Sequence, residues 1–189
     1  MLAACATRVP APPPAPETGL TPLVATEEIP GEFLMQQRLH FRWHEQQGQV
    51  DAVVQKVCGE LTVLLLTPFG TPGVVIRQRG RAVRVESKLP GPWSFPPEYI
   101  LRDVQRTYFV PLGEVARGGE SIEEEWSGGR LVRRTFTSTR DGAPAQVVIT
   151  YPDGTTRDEP PRRASIDAPK WGYHLDVETL SRVELGCPE

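Results

Sequence analysis

No stretch of roughly 20 apolar residues occurs in this chain, so nothing in it can cross a bilayer as a helix. It also lacks an excess of positive charge. Its 21 Lys and Arg stand against 24 Asp and Glu, and a formal net charge of −3 gives no field that would gather nucleic acid. Histidine is scarce, at three residues. His40 and His44 have an H-x-x-x-H spacing, but in a strand four residues span roughly 13 Å, too far to share one metal ion. His174 alternates to an outer face, so no metal site is expected. Neither a phosphate-cradling glycine loop nor a G-x-S-x-G turn is present. Glu123, Glu124 and Glu125 would point to alternate faces of a strand and read as a solvated edge rather than an acid-base pair. Together these absences argue against an enzyme and against a cofactor.

What is present points to one β-rich domain. A chain of 189 residues is long enough for a single sizeable core, and its 20 prolines and 17 glycines accompany β-branched residues in alternating patterns. From Phe33 to Trp43 the odd positions are Phe33, Met35, Gln37, Leu39, Phe41 and Trp43, while from Gln36 onward the even ones are Gln36, Arg38, His40, Arg42 and His44. That alternation predicts a strand with one wet face. A turn at Gln46-Gln47-Gly48 leads into a second strand carrying Val50, Ala52 and Val54 inward to about Val57, and Cys58-Gly59 makes the next turn. ELTVLLL is apolar on both parities, which predicts a strand covered on both faces. A hairpin about Arg79-Gly80 then brings Val83 and Val85 inward.

The period changes once, in FPPEYILRDVQRTYF. Pro97 suits a first helical position, Ile100, Val104 and Tyr108 recur every fourth residue, and Arg102, Asp103, Gln105 and Arg106 take the other side of an amphipathic helix. Strands resume over about 120–126, 131–138 and 146–151, with turns at Gly128-Gly129, Asp141-Gly142 and Asp153-Gly154. After a charged, proline-broken loop from Thr155 to Arg163, the last strand starts at Trp171. The expected fold is α+β dominated by β: an incomplete antiparallel barrel of about nine or ten strands with one helix as lid.

The N-terminal segment is of another kind. Leu2-Ala3-Ala4-Cys5 resembles a lipobox, the end of a bacterial signal peptide, and Pro10, Pro12, Pro13, Pro14 and Pro16 form an extended spacer after it. Cys5 is the expected lipidation site, residues 1–31 the tether and residues 32–189 the folded domain. Only Met1 precedes the motif in this sequence. Ala6, where lipoproteins kept at the inner membrane typically carry aspartate, implies a Gram-negative outer membrane and its periplasmic face. In that oxidising compartment Cys58 and Cys187 can form a disulfide or remain two buried thiols, and the sequence is compatible with either.

The order of five strands, a helix and more strands resembles the LolA/LolB fold. LLLTPFGTPGVVIRQRG, FPPEYILRDVQRTYF and WGYHLDVETL are similar to an uncharacterised family of bacterial lipoproteins grouped with LolB-like proteins, over roughly Glu32 to Leu185. The resemblance implies a half barrel whose hollow takes a lipid or other acyl-bearing molecule. The candidate lining is Leu39, Phe41, Trp43, Val54, Leu65, Val83 and Val85, with Ile100, Val104 and Tyr108 from the helix. A closed, filled core would show the same alternation. It further implies an apolar loop that touches membrane, for which Trp93 and Phe95 are the candidates. The expected role is binding or transfer of such a molecule by a monomer. The alternative is a non-catalytic assembly lipoprotein with an envelope protein partner.

Overall fold

The computed structural model describes residues 22–88, 97–140 and 143–187. Eleven strands form one sheet: β1 (Phe33–Trp43), β2 (Gln46–Val57), β3 (Glu60–Leu66), β4 (Pro72–Arg79), β5 (Ala82–Ser87), β6 (Ala116–Arg117), β7 (Glu120–Ser127), β8 (Arg130–Arg140), β9 (Ala143–Thr155), β10 (Arg163–Ala168) and β11 (Tyr173–Glu184). The helix α1 (Pro97–Tyr108) comes between β5 and β6. Neighbours run in the order β5-β4-β3-β2-β1-β11-β10-β9-β8-β7-β6, so the first and last long strands pair at the middle of an open, antiparallel sheet.

The sheet curves around α1, and the hydrogen bonds to this one helix show it. Gln78 on β4 reaches Gln105, Gln37 on β1 reaches Tyr108, Thr179 on β11 meets the Tyr108 hydroxyl, and Tyr151 on β9 donates to the Thr107 carbonyl. Arg134 on β8 and Glu120 on β7 complete the embrace from the other half. The inward parity of the strands, read from the alternation in β1, joins the buried face of α1 in a single apolar cluster that includes Phe33, Met35, Val63, Ile76, Leu101 and Ile149. No helix of the described residues is long and apolar enough to cross a membrane.

Several expectations are corrected. The β1–β2 turn is at His44-Glu45 rather than Gln46-Gly48, because His44 itself takes the positive φ, 52°, that a two-residue connection needs. Asp153-Gly154 is no turn. It lies inside β9, where the β8–β9 register shifts between Leu131 and Arg133 and Gly154 has φ 65°, the marks of a bulge. β3 is not covered on both faces: Leu61, Val63 and Leu65 are buried, whereas Leu64 and Leu66 on the outer side are half-buried. The short strands β6 and β10 add to the nine or ten expected. The fold also takes in residues before Glu32. Val24, Thr26 and Ile29 are buried, and Gln78 and Gln105 both donate to the Val24 carbonyl while the Val24 N–H donates to Gln105. Cys5, Trp93, Phe95 and the Asp141-Gly142 turn lie outside the described residues.

Cys58 and Cys187 form a disulfide across a separation of 129 residues, tying the chain end to the β2–β3 turn. Glu32 reinforces the closure through the Lys56 ammonium, the Cys58 N–H and the Leu185 N–H. Replacing both cysteines by serine is expected to lower stability by about 2–4 kcal/mol. At this chain length that corresponds to a fall in Tm of roughly 5–10 °C, read by thermal unfolding with and without reductant. An unchanged Tm would show that the bond adds nothing.

Candidate functional site

The interior is filled at one end and hollow at the other. Phe33 and Phe109 rings pack at 5.5 Å in the filled part. Toward the β1–β2 turn an open apolar hollow of about 340 Å³ remains, walled by Leu39, Phe41, Trp43, Val50, Leu65, Ile100 and Leu175 among others. That volume falls in the ~300–1,000 Å³ range of small-molecule pockets. Ile100 makes α1 part of its roof.

The candidate residues divide accordingly. Leu39, Phe41, Trp43, Leu65 and Ile100 line the hollow. Val54 is fully buried in the core, and Val83, Val85, Val104 and Tyr108 pack against that core without bordering the hollow. Tyr108 instead bonds Gln37 and Thr179, and burial pushes its hydroxyl up to about 12. The lining depends on Gly48, which faces Phe41 across β1 and β2. A Cβ there would sit 2.7 Å from Phe41 Cζ, so only glycine lets the ring lie down on the neighbouring strand.

The polar side of α1 is not wet, as its sequence implied. Asp103, Gln105 and Arg106 are buried, because the helix is sunk into the sheet and its charged side meets the wall of β7 to β9. Arg106 donates to Glu120 at 2.5 Å and to Asp103 at 3.5 Å, and its guanidinium lies 5.3 Å from the Phe136 ring centre. The Tyr173 hydroxyl also bonds Asp103. These groups border a second hollow of about 320 Å³ that shares Trp43 and Tyr173 with the apolar one. Sequence reading missed it because Asp103, Arg106 and Glu120 carry charges that normally mark a solvated face.

Burial raises the Asp103 carboxyl to about 6, although Arg106 and the hydrogen bonds pull it down. The folded chain therefore holds this proton more tightly than the unfolded chain does. Its stabilisation is present at acid pH and is lost as pH rises through about 6. Asp103→Asn is expected to remove a loss on the order of 2 kcal/mol between pH 4.5 and 7.5, measured by denaturant unfolding at both values. An identical pH profile in the variant would contradict it.

Other candidates stand apart. Glu123 and Glu125 are exposed as expected of an edge, but Glu124 turns inward and pairs with Arg134. His174 lies on the outer face between Asp167 and Asp176, at 2.6 and 3.1 Å. Among the described residues no three His, Cys, Asp or Glu are grouped to hold a metal.

The family described as "Protein of unknown function (DUF3261)" matches residues 34–181. The chain belongs to this family. No curated protein sequence is significantly similar to it. This DUF3261 protein has the LolA-like fold: the crystal structure of a LolA superfamily protein from Nitrosomonas europaea superposes with a TM-score of 0.52 at 14% identity, over 87% of this chain and 91% of that one. A domain from Vibrio parahaemolyticus described as an outer-membrane lipoprotein-sorting protein gives a TM-score of 0.48 at 11% identity, over 84% and 87%.

Proposed function

We propose that this DUF3261 protein is a non-catalytic carrier of an acyl-bearing molecule in the bacterial cell envelope. Lipid on Cys5 would hold it to the periplasmic face of the outer membrane. The observation that carries the reading is the open apolar hollow of about 340 Å³ under Ile100, since a void of that size lined by Leu, Val, Phe and Trp is matched by an aliphatic chain. The mouth supports it. Thr67 and Pro68 border the hollow, and Phe69, next in the same turn, is 91% exposed. An aromatic tip beside the entrance suits contact with a membrane interface, a place that Trp93 and Phe95 were expected to fill.

Titration of the full chain with a fluorescent lauroyl ester tests this. Saturable uptake of one probe per chain, with a Kd in the low micromolar range, is expected. Absence of saturable uptake would contradict the proposal and favour the assembly role.

A further inference from the structure

Lys170 and His44 stand on neighbouring turns and share a hollow. Lys170 belongs to the 3-10 turn Pro169–Trp171 between β10 and β11, His44 belongs to the β1–β2 turn, and both line the second hollow of about 320 Å³. The backbone fixes them there. The His44 N–H donates to the Gly172 carbonyl at 2.9 Å, and a Cβ at Gly172 would lie 2.9 Å from His44 Nδ1, so glycine leaves room for the ring. His44 holds this place at φ 52°, a strained conformation for a residue other than glycine and one that gathers at ligand sites. Neither side chain takes part in an ion pair or a hydrogen bond among the described residues.

Deeper in the same hollow the charges are already answered. Asp103 and Glu120 are 5% and 3% exposed, Arg106 pairs with both, Tyr173 bonds Asp103, and Arg102 acts on both carboxylates. Two guanidiniums thus face two carboxylates. The Lys170 ammonium is left over at the exposed rim, and the His44 imidazole offers a further donor. Glu45, the acid next to His44 in its turn, borders neither hollow. The two hollows meet at Trp43 and Tyr173, which pair across β1 and β11, so a molecule with its chain in the apolar hollow has its other end in the one that Lys170 lines. An unpaired cation at the rim of such a cavity is matched by an anion on an apolar chain.

We infer that the carried molecule is an amphiphile with an anionic head, a carboxylate or a phosphoryl group, which pairs with Lys170 at the rim of the second hollow and accepts a hydrogen bond from His44. This rests on the carrier reading and adds the head group to it.

The test is displacement of the lauroyl ester probe from the full chain by laurate, lauroyl lysophosphatidate and monolauroylglycerol, which share a chain and differ in head charge. At low salt, one of the anions is expected to bind about fivefold or more tighter than monolauroylglycerol, the scale of one partly exposed charge pair. The tighter anion names the head as carboxylate or phosphoryl. Lys170 is exposed, so Lys170→Glu leaves the core intact; it should weaken that anion by about fivefold or more and change monolauroylglycerol by less than about twofold. A smaller preference for an anion in the unaltered chain, or none, overturns the head-group inference while leaving the carrier reading standing. A preference that survives in Lys170→Glu overturns it too, by placing the head elsewhere. Binding of none of the three overturns both.

Discussion

Replacing Arg134 by methionine is expected to destabilise the protein by about 3–5 kcal/mol and to lower its Tm by roughly 10–15 °C. The side chain is 1% exposed. Its guanidinium donates to the carbonyls of Arg106, Val110 and Pro111, at the last turn of α1 and just beyond it, where helix carbonyls run out of intrahelical donors. The same group pairs with Glu124, whose other oxygen accepts from the Gly113 N–H. Methionine would fill the space yet leave three carbonyls unmet and a nearly buried carboxylate without its cation. Lysine keeps the charge but not the planar fork, so Arg134→Lys should recover less than half of the loss. Thermal unfolding followed by circular dichroism reads both variants. A Tm within about 3 °C of the parent for Arg134→Met would show that the helix is held by its apolar face alone.

The second large effect is on binding. Leu39 stands on β1 opposite Val50 on β2, and both line the apolar hollow. Leu39→Asp places a carboxylate where the acyl chain would lie, and keeping it hydrated requires water in the space the chain needs. The expected loss is at least a hundredfold in affinity for the lauroyl ester, about 3 kcal/mol. Val50→Trp fills the hollow without a charge and should do the same. The pair separates a binding defect from a folding one, because the hollow is open at its mouth and an indole there introduces no charge. Unchanged affinity in both variants, with native circular dichroism, would place the ligand elsewhere.

How far the sequence discloses this molecule differs between its two halves. In β1 the alternation from Gln36 to Trp43 identifies the strand, its inward face and three of the hollow's walls, because a sheet with one wet side writes its orientation into every second residue. The two-residue turn at Gly128-Gly129 is equally legible, since both residues take positive φ. His44 hides its turn, for histidine rarely signals a left-handed conformation. β10 hides too. Arg163–Ala168 is six residues long, with small alanines at two of its three buried positions, so its apolar face is faint. Whether the barrel is hollow or filled cannot be read from parity. Val54 and Leu39 follow the same pattern, yet one is sealed in the core and the other borders open space. The polar chamber is the least legible of all. Arg106 and Glu120 belong to different elements, and only the sinking of α1 into the sheet turns two apparently solvated charges into a buried pair.

What the protein carries when it is purified decides whether it is a carrier. Native mass spectrometry of the full chain isolated from a bacterial periplasm, with organic extraction of the same sample, is the decisive measurement. One acyl-bearing molecule per chain, absent from Leu39→Asp, is the predicted result. A bare mass from a chain that also takes up no added lauroyl ester would contradict the carrier reading.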